Sequence, residues 1–291
     1  MPVRVGVLIL PEDRWSAAVE KWRRAEAMGF HHAWTYDHIA WRQLRNSPWF
    51  ASIPTLTAAA VATTTIRLGT LVASPNFRHP VPFARELVSL DDIAGGRLTL
   101  GIGSGGQGWD ATMLGQKPWS RAERTERFAE FVDLLDRLLR HPETTFSGQY
   151  WSADEARTYP GCVQEPRIPF AIAATGPRSM RVAATHASVW VTNGDRFRTG
   201  PPLEPEQGAA VVARQLSLFE EICGAAGRDP ATVDRLVLTG PRLDSGLQSP
   251  EAFDEVREAY GAVGVTDLVV HWPRPSEPYA GEESILEHIT G

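Results

Sequence analysis

Leu68-Gly-Thr-Leu-Val-Ala-Ser-Pro-Asn-Phe-Arg-His-Pro-Val81 decides how this chain is read. An apolar, β-type run breaks at Ser74-Pro75 and places Asn76, Arg78 and His79 in a short loop, with a helix expected from about Pro80. That is a strand delivering hydrogen-bonding groups to one rim of a sheet. Upstream, Ala33-Trp-Thr-Tyr-Asp-His38 ends a short strand in an acid and an imidazole. Downstream, Leu98-Thr-Leu-Gly-Ile-Gly-Ser-Gly-Gly106 ends another in glycines. Consecutive strands that carry chemistry at their C-terminal ends are how parallel α/β enzymes build sites.

The same alternation of apolar runs and helix-period segments fills the chain. The strand candidates are Val3–Leu10, Ala33–Tyr36, Ile66–Ala73, Leu98–Gly103, Pro169–Ala174, Val189–Thr192, Leu236–Thr239 and Leu268–Val270. Among the helices, Ala122–Arg140 carries the stripe Phe128, Phe131, Val132, Leu135, Leu138 and Leu139. Val212, Leu216, Phe219 and Ile222 form a second stripe. Phe253, Val256, Tyr260 and Val263 form a third, behind a Ser249-Pro250 start suited to an N-cap and first helical position. The strand runs are apolar throughout, which suits parallel strands covered on both faces. Eight such units in 291 residues predict an α/β chain folded as one TIM (β/α)8 barrel domain over 1–291, with an open doubly wound sheet as the alternative. Thr144–Pro166 reads as an irregular insertion after unit four, and Asp195–Pro205 as a loop of the kind that forms lids.

Composition removes several classes of function. A net charge of −6 and a pI near 5.8 leave no electrostatic footprint for nucleic acid or an anionic membrane. Cys162 and Cys223 lack metal-ligand spacing, no histidine pair has helical ligand spacing, and no metal site is expected. The N-terminal apolar run stops at Pro11 and reads as a buried strand rather than a signal peptide. No run approaches the roughly 20 apolar residues of a membrane span. The expectation is a soluble, cytoplasmic protein acting on a small molecule.

Gly101, Gly103 and Gly106 satisfy a dinucleotide-binding pattern, but that motif needs a helix directly after it and an acid at the next strand end. Here the following segment holds Gly115 and Pro118, so approach of a flat ring or phosphate to bare backbone, or a plain tight turn, remain the readings. In Ala173-Ala-Thr-Gly-Pro-Arg-Ser-Met180 a strand ends at Ala174, Thr175-Gly176 turns, and Pro177 opens a helix. Helix N-terminal N–H groups, with Arg178 and Ser179, make an anion site there; the plainer reading is an ordinary capped helix. His38 could pass a proton, with Asp37 orienting it; the plainer reading is a structural Asp–His pair closing a loop. His79 and His271 are further candidates, while His31, His32, His141, His186 and His288 read as surface or packing residues. Trp41, Trp49, Phe50, Trp109, Trp119, Trp151 and Trp272 fall in loops and would suit an aromatic pocket.

With these residues on the page, the chain resembles the bacterial luciferase-like monooxygenase family, TIM-barrel enzymes that use FMN or the deazaflavin F420. The likeness is most specific in Ala25-Glu-Ala-Met-Gly-Phe30, Tyr36-Asp37-His38, Ile66-Arg-Leu-Gly-Thr-Leu71, Ser74-Pro-Asn-Phe-Arg-His-Pro80, Gly95-Gly-Arg-Leu-Thr-Leu-Gly-Ile-Gly103 and Ala173-Ala-Thr-Gly-Pro177. The resemblance implies an oxidoreductase in which His38 is the proton shuttle and Asp37 contacts the ring system. It implies a non-prolyl cis peptide at Leu71 and Val72 against the back of the ring. Ser74, Asn76, Gly105 and Gly106 would lie along the cofactor, and Ala174, Thr175, Gly176, Arg178 and Ser179 would form the phosphate turn. F420 with hydride transfer is favoured by the Ala-x-Gly-Pro turn; the alternative is reduced FMN supplied by a separate flavin reductase, with oxygen insertion. A lyase or isomerase acting on a phosphorylated substrate is the non-redox rival. The resemblance also implies a homodimer. Two departures stand out. Gly106 occupies the place where F420-dependent sugar-phosphate dehydrogenases carry a glutamate, and Ala187-Ser-Val-Trp190 replaces the family's usual Ala-Asp-Gly-Trp.

Overall fold

The computed structural model describes residues 2–106, 108–195 and 197–290. Its barrel strands are β1 (Arg4–Leu8), β2 (His32–Thr35), β3 (Arg67–Ala73), β4 (Leu98–Gly103), β7 (Phe170–Ala173), β8 (Val189–Thr192), β9 (Asp234–Leu238) and β10 (Asp267–His271); β5 (Glu143–Ser147) and β6 (Ser152–Arg157) stand outside the barrel. The helices are α1 (Trp15–Ala27), α2 (Ser52–Ala62), α3 (Pro80–Ile93), α4 (Trp109–Thr112), α5 (Arg121–Arg140), α6 (Pro177–His186), α7 (Pro205–Ala225) and α8 (Pro250–Ala262). The eight barrel strands close in the order β1-β10-β9-β8-β7-β4-β3-β2. This is the TIM barrel that the sequence predicts, and the open doubly wound sheet is excluded. β4 and β10 are buried at every position, as strands covered on both faces must be.

By internal contact the chain divides into two compact units. The first comprises Met1–Leu10, Lys21–Trp34 and Ile172–Gly291. Trp190 stacks on Phe219 at 5.6 Å, and both are fully buried with Trp22 and Phe253. A polar network ties the first residues of its strands together. Arg4 donates from Nε and Nη2 to the two Asp267 oxygens at 2.8 and 2.6 Å, and Nη2 also reaches Asp234 at 2.7 Å. His32 Nε2 lies 3.0 Å from Asp267 Oδ1, and Trp34 Nε1 donates to His32 Nδ1 at 2.6 Å. Indole nitrogen only donates, so Nδ1 accepts and the imidazole proton sits on Nε2, facing the carboxylate. A Cβ on Gly6 would lie 1.9 Å from that Nδ1, which is why β1 has glycine there. Burial opposes the Asp267 charge, but the bonds from His32 and Arg4 outweigh it and hold the carboxyl well below its usual range. Tyr260 is fully buried, and its hydroxyl has no hydrogen-bond partner among the described residues. It sits where a side chain on Gly208 would be, 2.2 Å from the Cβ position.

The second unit comprises Pro11–Glu20 and Thr35–Ala171. The predicted stripe of α5 is buried in full, with Leu134 added. Ser120 and Glu123 form a capping box that starts the helix one residue before the predicted Ala122, and Arg137 and Arg140 close it beside Asp133 and Asp136. The Thr144–Pro166 insertion is more regular than its sequence suggests. β5 and β6 pair antiparallel, and Glu130 on α5 accepts the turn N–H groups of Gln149, Tyr150 and Trp151. His79 caps α3 by accepting from the Val81 N–H at 3.2 Å, with Pro80 in the first position. Arg196, in the predicted Asp195–Pro205 loop, lies outside the described residues.

Candidate active site

The site grows from a defect in β3. β3 and β4 pair in register from Leu68 to Thr70 and resume at Ala73, so Leu71 and Val72 drop out of the ladder. The Leu71–Val72 peptide is cis, as the resemblance implied. The bulge pushes the strand into its neighbour. A Cβ on Gly101 would lie 1.8 Å from the Thr70 carbonyl oxygen, so only glycine fits, and the Thr70 hydroxyl donates to the Gly101 carbonyl at 2.7 Å. Just past β3, Asn76 is 7% exposed. Its Nδ2 donates to the Gly106 carbonyl at 3.1 Å, while its Oδ1 is buried with no partner among the described residues. The Asn76 N–H turns back toward Ser74 Oγ at 3.4 Å. Gly105 has φ +71°, and a Cβ there would meet the Asn76 amide at 2.7 to 2.9 Å. Gly106 is open, with nothing closer than 3.9 Å to its Cβ position. The structure thus brings Ser74, Asn76, Gly105 and Gly106 into one cradle.

Asp37 and His38 are both placed at the end of β2, but not as partners. Asp37 is 2% exposed and saturated: Arg78 donates from Nε and Nη2 at 2.7 and 2.8 Å, and the Ser52 hydroxyl donates at 2.6 Å. Burial opposes the charge on the Arg78 guanidinium, but the Asp37 and Glu86 carboxylates outweigh it and raise its pKa. The expectation that Asp37 orients His38 is therefore corrected; a bidentate arginine outcompetes an adjacent imidazole for both carboxylate oxygens. The partner of His38 is Asp110 on α4, whose Oδ2 lies 2.5 Å from His38 Nδ1 and whose Oδ1 accepts the Ile39 N–H at 2.6 Å. Beside this pair Tyr36 packs at a tilt against Trp41, Trp41 stacks on Trp49, and Trp49 Nε1 donates to the His38 carbonyl at 2.9 Å. The sequence reading missed Asp110 because the segment around it, interrupted by Gly115 and Pro118, shows no clear periodic pattern. The available signal was an acid shortly past the C-terminal end of a barrel strand.

The turn after β7 stands in the first unit. Gly176 is the N-cap of α6 and Pro177 its first residue, as predicted. Trp190 Nε1 donates to the Ala174 carbonyl at 2.8 Å and fixes the strand end. The Ser179 hydroxyl donates to the Gly176 carbonyl at 3.0 Å, and Arg178 is exposed. What the turn offers an anion is the N–H groups of the first helical turn, with the arginine beside them. Of the other candidates, His79 serves as a cap and burial lowers its pKa, and His271 is buried against Tyr279 at 3.5 Å. Trp151 and Trp272 are buried, Trp151 edge-on to Phe131 and Trp272 donating from Nε1 to Glu283 at 2.8 Å. Among the described residues no His, Cys, Asp or Glu group could hold a metal ion, and no helix is long and apolar enough to cross a membrane.

Comparison with known proteins agrees with this architecture. The family model for luciferase-like monooxygenases matches residues 1–264. The chain is 29% identical over 264 residues to the F420-dependent hydroxymycolic acid dehydrogenase of Mycobacterium tuberculosis (strain ATCC 25618 / H37Rv), covering 89% of this chain and 68% of that one. It is 32% identical over 281 residues to the F420-dependent glucose-6-phosphate dehydrogenase of Intrasporangium calvum, covering 91% and 83%. The matched segment spans only 47%, 60% and 62% of the length of three other curated relatives. A solved F420-dependent secondary alcohol dehydrogenase in complex with an F420–acetone adduct superposes with a TM-score of 0.80 at 19% identity, over 99% of this chain and 97% of that one.

Proposed function

The chain belongs to the luciferase-like monooxygenase family and is an oxidoreductase, and from that premise we propose that it binds F420 and acts on a small organic substrate with His38 carrying the proton. The two curated relatives that match it over about nine-tenths of its length are named for F420, which favours the deazaflavin over FMN.

The observation that carries the proposal is the cradle at the β3 bulge. Asn76 Oδ1 is a buried acceptor without a donor among the described residues, a state that costs about 1–3 kcal/mol. A ring system carrying N–H groups would satisfy it. The out-of-register Leu71–Val72 segment and the bare backbone of Gly105 and Gly106 leave room for a flat ring to approach. The residues present therefore fit the cofactor. Leu71, Val72, Ser74, Asn76, Gly105 and Gly106 would hold the ring system; the Thr175–Gly176 turn, taken by itself, keeps its reading as a phosphate site. When bound, F420 supplies a carbon that takes up or releases a hydride and does not activate oxygen.

The chain's own residues then have separate tasks. His38 holds or moves the proton at a substrate oxygen, through the ring nitrogen that Asp110 leaves free. Tyr36 meets the imidazole edge-on at 5.8 Å and is itself backed by Trp41 and Trp49. Gly106 offers no carboxylate where sugar-phosphate dehydrogenases of the family carry glutamate. The substrate class proposed is accordingly a small alcohol or carbonyl compound rather than a sugar phosphate.

Fluorescence titration with F420 and FMN, each oxidised and reduced, tests this reading. Tight F420 binding with weak FMN binding is expected. Tight binding of reduced FMN with weak F420 binding overturns it in favour of an oxygen-dependent monooxygenase, and failure of both sends the site to non-redox chemistry. In an F420-binding protein, His38→Ala should lower turnover far more than cofactor affinity; equal losses would make His38 a binding residue only.

A further inference from the structure

We propose that Asp110 is the positioning residue of the proton relay: it fixes the Nδ1–H tautomer of His38 and so assigns Nε2 as the nitrogen that meets substrate. This rests on the reading of His38 as proton carrier. Nothing in the family comparison assigns Asp110 a role, and it lies 72 residues from His38 in sequence.

A carboxylate only accepts. Asp110 Oδ1 takes the Ile39 N–H and Oδ2 faces His38 Nδ1, so Nδ1 must bring the proton to that contact. The carboxylate thereby grips both the imidazole and the backbone directly after it, which fixes the ring's orientation as well as its tautomer. Asp110 is itself held. It is 5% exposed on α4, and the neighbouring Trp109 lies under the Arg45 guanidinium at 3.7 Å. Asp37 is spent on Arg78 and Ser52 and cannot take over. The His38 side chain keeps 30% of its surface exposed, against 7% for Asp110, so the solvent-facing part of the pair belongs to the imidazole.

This arrangement works in both directions of a reversible proton transfer. With Nδ1–H bonded to Asp110, neutral His38 offers a lone pair at Nε2 and can take the proton of a substrate hydroxyl. The imidazolium so formed can return it to a substrate oxygen. The Nδ1–H···Asp110 bond is the same in both states, so the ring does not turn over between them.

Asp110→Asn discriminates the proposal from a merely structural role. The asparagine oxygen satisfies Ile39, which leaves its NH2 group facing His38 Nδ1. That nitrogen must then accept, and the proton moves to Nε2. The same exchange in a serine-protease triad lowers turnover by about 10⁴ through the wrong tautomer. The experiment is long-range ¹H–¹⁵N NMR of the full-length, histidine-labelled protein without cofactor, at about pH 8.5, above the ordinary imidazole range. His38→Gln identifies the signal. The wild type should show a protonated, pyrrole-like Nδ1 and a pyridine-like Nε2, and Asp110→Asn should reverse or mix them. F420 affinity in that variant should stay within about threefold. A wild-type proton on Nε2, or an unchanged signal in Asp110→Asn, overturns the proposal. The wild-type spectrum decides even where the variant does not fold. Failure to bind F420 would break the functional reading and leave the tautomer result standing.

Discussion

His32 and His38 stand six positions apart, and each is bonded to a buried aspartate, yet only one of them is free to do chemistry. His32 is closed at both nitrogens, by Asp267 and by Trp34, and Asp267 is further locked by Arg4. Among the described residues His38 is held at Nδ1 alone, and its side chain is 30% exposed, against 11% for His32. The residue types and the partner are the same. What separates a structural pair from a candidate catalytic one is whether the second nitrogen has been satisfied by the protein. Asp37 teaches the same lesson from the carboxylate side: an acid beside a histidine in sequence is structural when both of its oxygens are taken.

The comparison makes predictions that can break it. The largest effect is expected at the open pair. His38→Gln should lower turnover by about 10²–10⁴-fold, with unfolding free energy changed by less than about 1 kcal/mol. A stability loss as large as the kinetic one would erase the distinction. The closed pair should behave in reverse. Asp267→Asn breaks a largely buried ion pair, for which about 3–5 kcal/mol is usual, and the lower end is expected because the Arg4 side chain is 38% exposed. Chemical denaturation measures this, and any turnover that remains should be unaffected once the variant is folded.

The same carboxylate sets an acid limit. Its pKa is held low in the folded protein, so the stability it contributes is complete above its unfolded value, near 4, and is lost as pH falls below that toward the folded value. Wild-type stability should therefore decline in strong acid more steeply than that of Asp267→Asn. Parallel slopes would show that the network does not carry the charge.

Two smaller tests sharpen the contrast between satisfied and unsatisfied groups. Gly105→Ala forces a left-handed φ on a side chain and presses it against Asn76, and should cost about 1–2 kcal/mol and weaken cofactor binding. Gly106→Ala, in open space, should leave stability unchanged, and any loss of cofactor binding there would come from the methyl group meeting the ring. Tyr260→Phe removes a buried hydroxyl without a partner among the described residues, and should leave stability unchanged or raise it by up to about 1 kcal/mol. A clear loss there would reveal a bond the hydroxyl makes in solution.

The barrel was legible because its strands are apolar runs punctuated by glycine, proline and polar ends, and every predicted run falls on an observed strand with ends shifted by a few residues. The β5–β6 hairpin was not, because its positions are mostly exposed and polar, and its turn is ordered by Glu130 on the preceding helix. The cradle was legible in part. The glycines and Asn76 mark backbone without side chains next to a hydrogen-bonding group, which a sequence displays. Asp110 was not legible, since its importance is a contact across 72 residues with a ring whose sequence neighbour looked like the natural partner. Pairing of this kind is decided by which acid the arginine claims, and Arg78 claims Asp37.

The glycine run of β4 shows how unevenly a short motif can carry information. At Gly101 the Thr70 carbonyl occupies the space of any side chain, while Gly106 faces nothing nearer than 3.9 Å. A library randomised at both positions and sorted for folded protein should return a single letter at 101 and a broad alphabet at 106. Of these two positions, only 106 can take a new side chain without disturbing the barrel, and a side chain placed there would face the cradle.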